Sequence, residues 1–79
     1  MNIERLLELA ETANDTELVW LCVRLYDNAR SNDVDALVRF HGLYGKKVVA
    51  IICDWQEQGL YHKEMIESVE EPMRARLEA

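Results

Sequence analysis

Nine consecutive residues, Leu18-Val19-Trp20-Leu21-Cys22-Val23-Arg24-Leu25-Tyr26, set the terms for the rest of the chain. Eight of them are apolar and Arg24 alone interrupts. Such a run cannot face water along its length, so other elements must cover it on more than one side. Periodicity does not separate a buried strand from a buried helix over so short a run, and length and flanks decide instead. Upstream, Asn14 or Asp15 can accept from the free N–H groups of a helix start, and Glu17 stands three residues after Asn14, the spacing of a capping box. Downstream, the pattern runs on through Asp27, Asn28, Ala29 and Arg30 to a turn at Ser31-Asn32-Asp33. A span of 16–31 is too long for an ordinary strand and normal for a helix. On that helix Glu17, Arg24, Asp27 and Ser31 form a narrow polar strip with Trp20 inside it. Leu18, Val19, Leu21, Cys22, Val23, Leu25, Tyr26 and Ala29 occupy the other sides.

The flanking segments read as helices that supply the cover. A helix over 3–13, with Asn2 as its cap, carries Ile3, Leu6, Leu7, Ala10 and Ala13 on one stripe and Glu4, Glu8 and Glu11 outside. Ser31-Asn32-Asp33 caps a helix over 33–41, with Val34, Leu37, Val38 and His41 on its inner face and Phe40 beside them. Gly42 and Gly45 then weaken any helix by about 1 kcal/mol each relative to alanine. They place a helix end and short loop there, although one helix bent through both glycines also fits the spacing. The next helix covers 46–58, with Val48, Ile51, Ile52 and Trp55 inward, Val49 widening the stripe, and Gly59 as the stop. Its β-branched opening competes as a strand, but no second β-rich run exists to pair with it. The last helix starts near Tyr61 or His62 and carries Met65, Ile66, Val69, Met73 and Leu77. Pro72 forces a kink or break around Glu71, with a separate last turn beginning at the proline. The expected fold class is all-α, a small irregular bundle of four to five short helices around the central one, forming one domain over 1–79.

Composition limits the functions open to such a chain. With 79 residues, 49% of them hydrophobic, the chain either has a rich core or shares apolar surface with another chain. The N-terminal residues are charged and amphipathic, without the apolar stretch of a secretory signal, and no run is long enough to span a bilayer. Cys22 and Cys53 both lie inside apolar runs, where a free thiol behaves as a small hydrophobe. These features imply a cytoplasmic protein with reduced cysteines. The net charge of −6 is uneven. Residues 1–17 hold five acids and one base, 18–53 hold three acids and five bases, and 54–71 hold six acids and one base. Negative ends repel phosphate backbones and favour a basic protein partner.

No constellation points to catalysis, a cofactor or a metal. A nucleophilic cysteine needs an imidazole and an electropositive setting, whereas both cysteines are surrounded by aliphatic residues. Cys22, His41, Cys53 and His62 are zinc-type residues at separations unlike those of structural zinc sites. The basic stretch containing Arg39, His41, Lys46 and Lys47 encloses a GxxG. A helix, GxxG and a basic helix start resemble the loop with which KH domains clamp a nucleic-acid backbone. The resemblance implies backbone N–H groups of Gly42 and Gly45 open to phosphates, on a fold whose β-sheet this chain has no strands to build. The leading expectation is therefore a small acidic, non-catalytic protein-interaction module. It would act as a regulator, inhibitor or adaptor masking a surface on a larger basic partner, as small acidic proteins of phages and mobile elements do. Its expected contact residues are Trp20, if exposed, with Asp54, Glu57, Glu64, Glu67 and Glu71. The alternatives are a nucleic-acid-binding domain using Arg39, His41, Lys46 and Lys47, and a homodimeric structural module whose apolar surplus is its own interface.

Overall fold

The structure, a computed structural model, describes residues 3–29 and 34–79. Within them the chain is all-α, five helices with no strand: α1 (Ile3–Ala10), α2 (Asp15–Ala29), α3 (Asp35–Glu57), α4 (His62–Glu67) and α5 (Glu70–Glu78). The expected cap at Asn2 and the turn at Ser31-Asn32-Asp33 lie outside the described residues.

Local chemistry accounts for the ends. α1 stops three residues earlier than its apolar stripe suggests. The N–H groups of Glu11, Thr12 and Ala13 instead reach back three residues, to the carbonyls of Glu8, Leu9 and Ala10, tightening the chain into a turn. α2 then opens with a reciprocal capping box. Glu17 N–H donates to Asn14 Oδ1 and Asn14 N–H donates to Glu17 Oε1, both at 2.9 Å. α3 ends in a Schellman motif: Leu60 N–H donates to the Trp55 carbonyl at 2.8 Å and Gly59 N–H to that of Gln56 at 3.1 Å. That turn needs a left-handed residue, and Gly59 supplies it at φ +74°.

The sequence suggests a loop at Gly42–Gly45, but α3 runs straight through both glycines as one helix of 23 residues. Two glycines cost roughly 2 kcal/mol together, and a break would cost more. Phe40, Tyr44, Val48, Ile51 and Trp55 share one face only if the helix is continuous, and that face enters the core. Continuity also fixes the phase of the first half. Ala36 and Phe40 point inward, so Val34, Val38 and His41, expected inside, are exposed. Val49, expected to widen the core stripe, is 60% exposed for the same reason.

The break near Pro72 falls earlier than the proline itself. Pro72 is the third residue of α5, and its ring would collide with the Ser68 carbonyl in an unbroken helix. The chain therefore leaves α-geometry at Val69, whose φ is −111° and whose N–H bonds the Ile66 carbonyl three residues back.

Packing follows from these phases. α2 lies against α1, α3 and α4, with Leu18, Val19, Trp20, Leu21 and Leu25 buried. Tyr26 is the exception on α2, at 58% exposure. Leu6, Leu9 and Ala10 enter from α1 and Met73 from α5, making one continuous core. Ion pairs link the helices at the rim: Arg39–Glu4 at 3.2 Å, Lys47–Asp15 at 4.0 Å and Arg76–Glu17 at 2.9 Å. Each contributes about 0–1 kcal/mol at such exposure.

Candidate functional site

Trp20 is fully buried and is a core residue. The strip of α2 that looks polar in sequence is covered by the C-terminal helices. There the indole N–H of Trp20 donates to Glu70 Oε2, while Arg74 Nε donates to Glu70 Oε1 at 2.5 Å. The Arg24 guanidinium lies over the same indole, 5.6 Å from its centroid. Glu70 is thus held from two sides. The Trp20 hydrogen bond, joined by that of Arg74 and by the nearby Arg24 and Arg74 charges, outweighs partial burial and keeps its carboxyl below the ordinary value. A perturbed carboxylate sometimes marks chemistry. This one has its oxygens committed to the indole and a guanidinium, and it fastens α5 to α2.

Asp54, Glu57, Glu64, Glu67 and Glu71 behave differently. All five are exposed, and among the described residues none is in an ion pair. Asp54 accepts a hydrogen bond from Gln58 at 3.3 Å. Elsewhere Glu4, Glu8, Asp15, Glu17, Asp27 and Glu70 are all paired with cations. Glu64, Glu67 and Glu71 recur at three and four, the spacing of one helix stripe, but the break at Val69 puts Glu64 and Glu67 on α4 and Glu71 on α5. Asp54 borders a hollow with Asp15 and Lys47, whereas Glu67 borders one of about 410 Å³ with Arg24, Lys63, Ile66 and Glu70. Glu57 and Glu64 flank the turn between α3 and α4.

That turn holds a residue the sequence reading passed over. Tyr61 is 71% exposed, beside Gln56, Gly59, Leu60 and His62 around an open hollow of about 330 Å³. The His62 ring lies 5.9 Å from that of Trp55, with its Nε2 enclosed and without a partner. The available signal was position: Tyr61 lies between the helix stop at Gly59 and the start of the next helix.

The basic stretch loses the geometry that made it a candidate. With α3 unbroken, backbone N–H groups around Gly42 and Gly45 lie inside the helix rather than in a phosphate-cradling loop. Arg39 is engaged by Glu4 and Lys47 faces Asp15. His41 stands about 200° around the helix from Arg39, so the four cationic positions do not converge.

The cysteines also separate. Cys22 is half-buried and burial pushes its thiol pKa up, which lowers its thiolate fraction. Cys53, expected in the core, is exposed on α3. Among the described residues no group of three His, Cys, Asp or Glu side chains could hold a metal ion, and no helix is long and apolar enough to cross a membrane. No protein-family model, curated protein or solved structure matches the chain.

Proposed function

We propose that this chain is a small acidic, non-catalytic interaction module that docks on a basic surface of a larger protein. The reading places it in the cytoplasm, as a regulator, inhibitor or adaptor of the size that phages and mobile elements encode. One observation carries it: five exposed carboxylates have no ion partner among the described residues, whereas six other acids are paired, and the exposed Tyr61 stands in the turn between two of the five, Glu57 and Glu64. An unpaired carboxylate keeps its full charge available for a cation on another molecule, which speeds encounter and fixes orientation. Tyr61 supplies the rigid aromatic area that dominates contact energies, the part that Trp20, buried in the core, does not play. Glu57 and Glu64 flank it, Glu67 and Glu71 extend the edge along α4 and α5, and Asp54 adds to the field.

The test is affinity capture with the tagged chain, followed by Glu64→Lys/Glu67→Lys/Glu71→Lys and, separately, Tyr61→Ala. The charge reversal should abolish capture at about 100 mM salt, and Tyr61→Ala should weaken it about tenfold or more. A bound protein that both variants retain would remove the acidic edge from consideration.

A further inference from the structure

The outward side of α3 is a second surface, independent of the acidic edge. At 100° per residue, Val34, Val38, Gly42, Gly45, Val49 and Cys53 fall within one arc of about 100°. Val34, Val38 and Val49 are 56%, 65% and 60% exposed, Cys53 is exposed, and none of the six is charged. The glycines have no evident internal use. Both have ordinary helical dihedrals, since Gly59 is the glycine with positive φ. A Cβ on Gly42 would meet nothing within 4 Å, and one on Gly45 would meet its own helix's His41 at 3.3 Å. A missing Cβ at these positions matters most to a backbone arriving from outside.

The order of the six residues identifies the visitor. Reversed about the point between Leu43 and Tyr44, Val34 falls on Cys53, Val38 on Val49, and Gly42 on Gly45. A two-fold interface requires this property, because residue i must meet j while j meets i. In a chain of net charge −6, two copies tend to oppose like charges, whereas this arc holds one charged residue, Asp35 at the angle of Cys53, and the reversal sets it against Ile52 rather than against a second carboxylate. On its flank, Lys46, without an ion pair among the described residues, comes within about one helical turn of the second copy's Arg39–Glu4 pair. There it offers that carboxylate a second cation. The stripe is about 30 Å long and 10 Å wide, so two copies cover roughly 600 Å² between them, the size of a weak, reversible contact.

We propose that the chain forms a two-fold homodimer of micromolar affinity, in which α3 crosses its own copy antiparallel at Gly42 and Gly45 with Val38 packed against Val49. Sedimentation of the full chain from about 1 to 500 µM should show the 9.2 kDa species giving way to one of twice that mass. Val49→Lys and Gly42→Leu should each move that transition at least tenfold upward in concentration while the helical circular dichroism is kept. Val38→Lys replaces either variant that fails to fold. Register is read in a Cys53→Ser background that does not itself cross-link. The double variant Val38→Cys/Val49→Cys should oxidise to a covalent dimer. Each single cysteine should not, because identical positions lie roughly 16 Å apart along the crossing. A chain that stays at 9.2 kDa throughout, charge at position 49 that leaves the doubled mass unchanged, or single cysteines that link as readily as the pair would each overturn the proposal.

Discussion

In α2, Leu18, Val19, Trp20, Leu21 and Leu25 are all buried, on several sides of the same 15-residue helix. Longer by eight residues, α3 buries one face and leaves Val38 and Val49 more than half exposed. Both helices are rich in apolar residues, so composition does not explain the contrast. Neighbours do: α2 has α1, α3 and α4 around it and Met73 of α5 in the shared core, whereas the cover on α3 lies to one side. The same residue type therefore stabilises the monomer in one helix and is left available for association in the other.

The contrast breaks most easily at Trp20. Trp20→Ala should lower the unfolding free energy in urea by about 3–5 kcal/mol, by opening a cavity and freeing Glu70. A loss below about 1 kcal/mol would show that α2 is not enclosed as described. Trp20→Phe sharpens the test by keeping a ring and deleting the N–H, at about 1–3 kcal/mol. It also has a pH signature. Glu70 binds its proton more weakly folded than unfolded, so its contribution is full above the ordinary value of 4.5 and is lost as pH falls through the lower folded value. Urea unfolding between about pH 3 and 6 should fall less steeply toward acid in Trp20→Phe than in the parent. Next come two glycines with opposite signs. Gly42→Ala should stabilise by about 1 kcal/mol, since its Cβ meets open space. Gly59→Ala should destabilise by about 1 kcal/mol, because φ +74° disfavours any side chain. Thermal melts of the pair read both. Smallest of all, Val38→Ala and Val49→Ala at low micromolar concentration should stay within about 0.5 kcal/mol of the parent.

What could be read from the sequence was mostly local. Asn14 and Glu17 stand at capping-box spacing and form that box. Gly59 reads as a stop and takes the left-handed dihedral, and the Glu4, Glu8 and Glu11 spacing gives an outer face that is exposed. The all-helical class follows from the lack of any second strand candidate. What was missed depended on partners distant in the chain. The glycines of α3 suggested a loop because their propensity cost is visible in sequence, while the gain from aligning Phe40 with Ile51 and Trp55 is a tertiary effect. Trp20 sits in a strip of polar residues, and only a carboxylate fifty positions away reveals why it is buried. For the acidic edge, residue identity and exposure could be read in advance. The lack of ion partners among the described residues and the exposure of Tyr61 could not, since both depend on what the fold brings near.

The contacts that hold the C-terminal helix also bear on the order in which the molecule assembles. Trp20–Glu70, Glu17–Arg76 and Arg5–Arg76 join residues 50, 59 and 71 positions apart, whereas α1, α2 and α3 pack as sequence neighbours. Closing the longest loops has the greatest entropic cost and comes last, and a region fastened by few contacts also opens first. Amides of α5 should therefore exchange with deuterium ahead of those in α2. A basic partner gripping Glu71 would slow that exchange, because it would hold shut the arm on which that carboxylate rides.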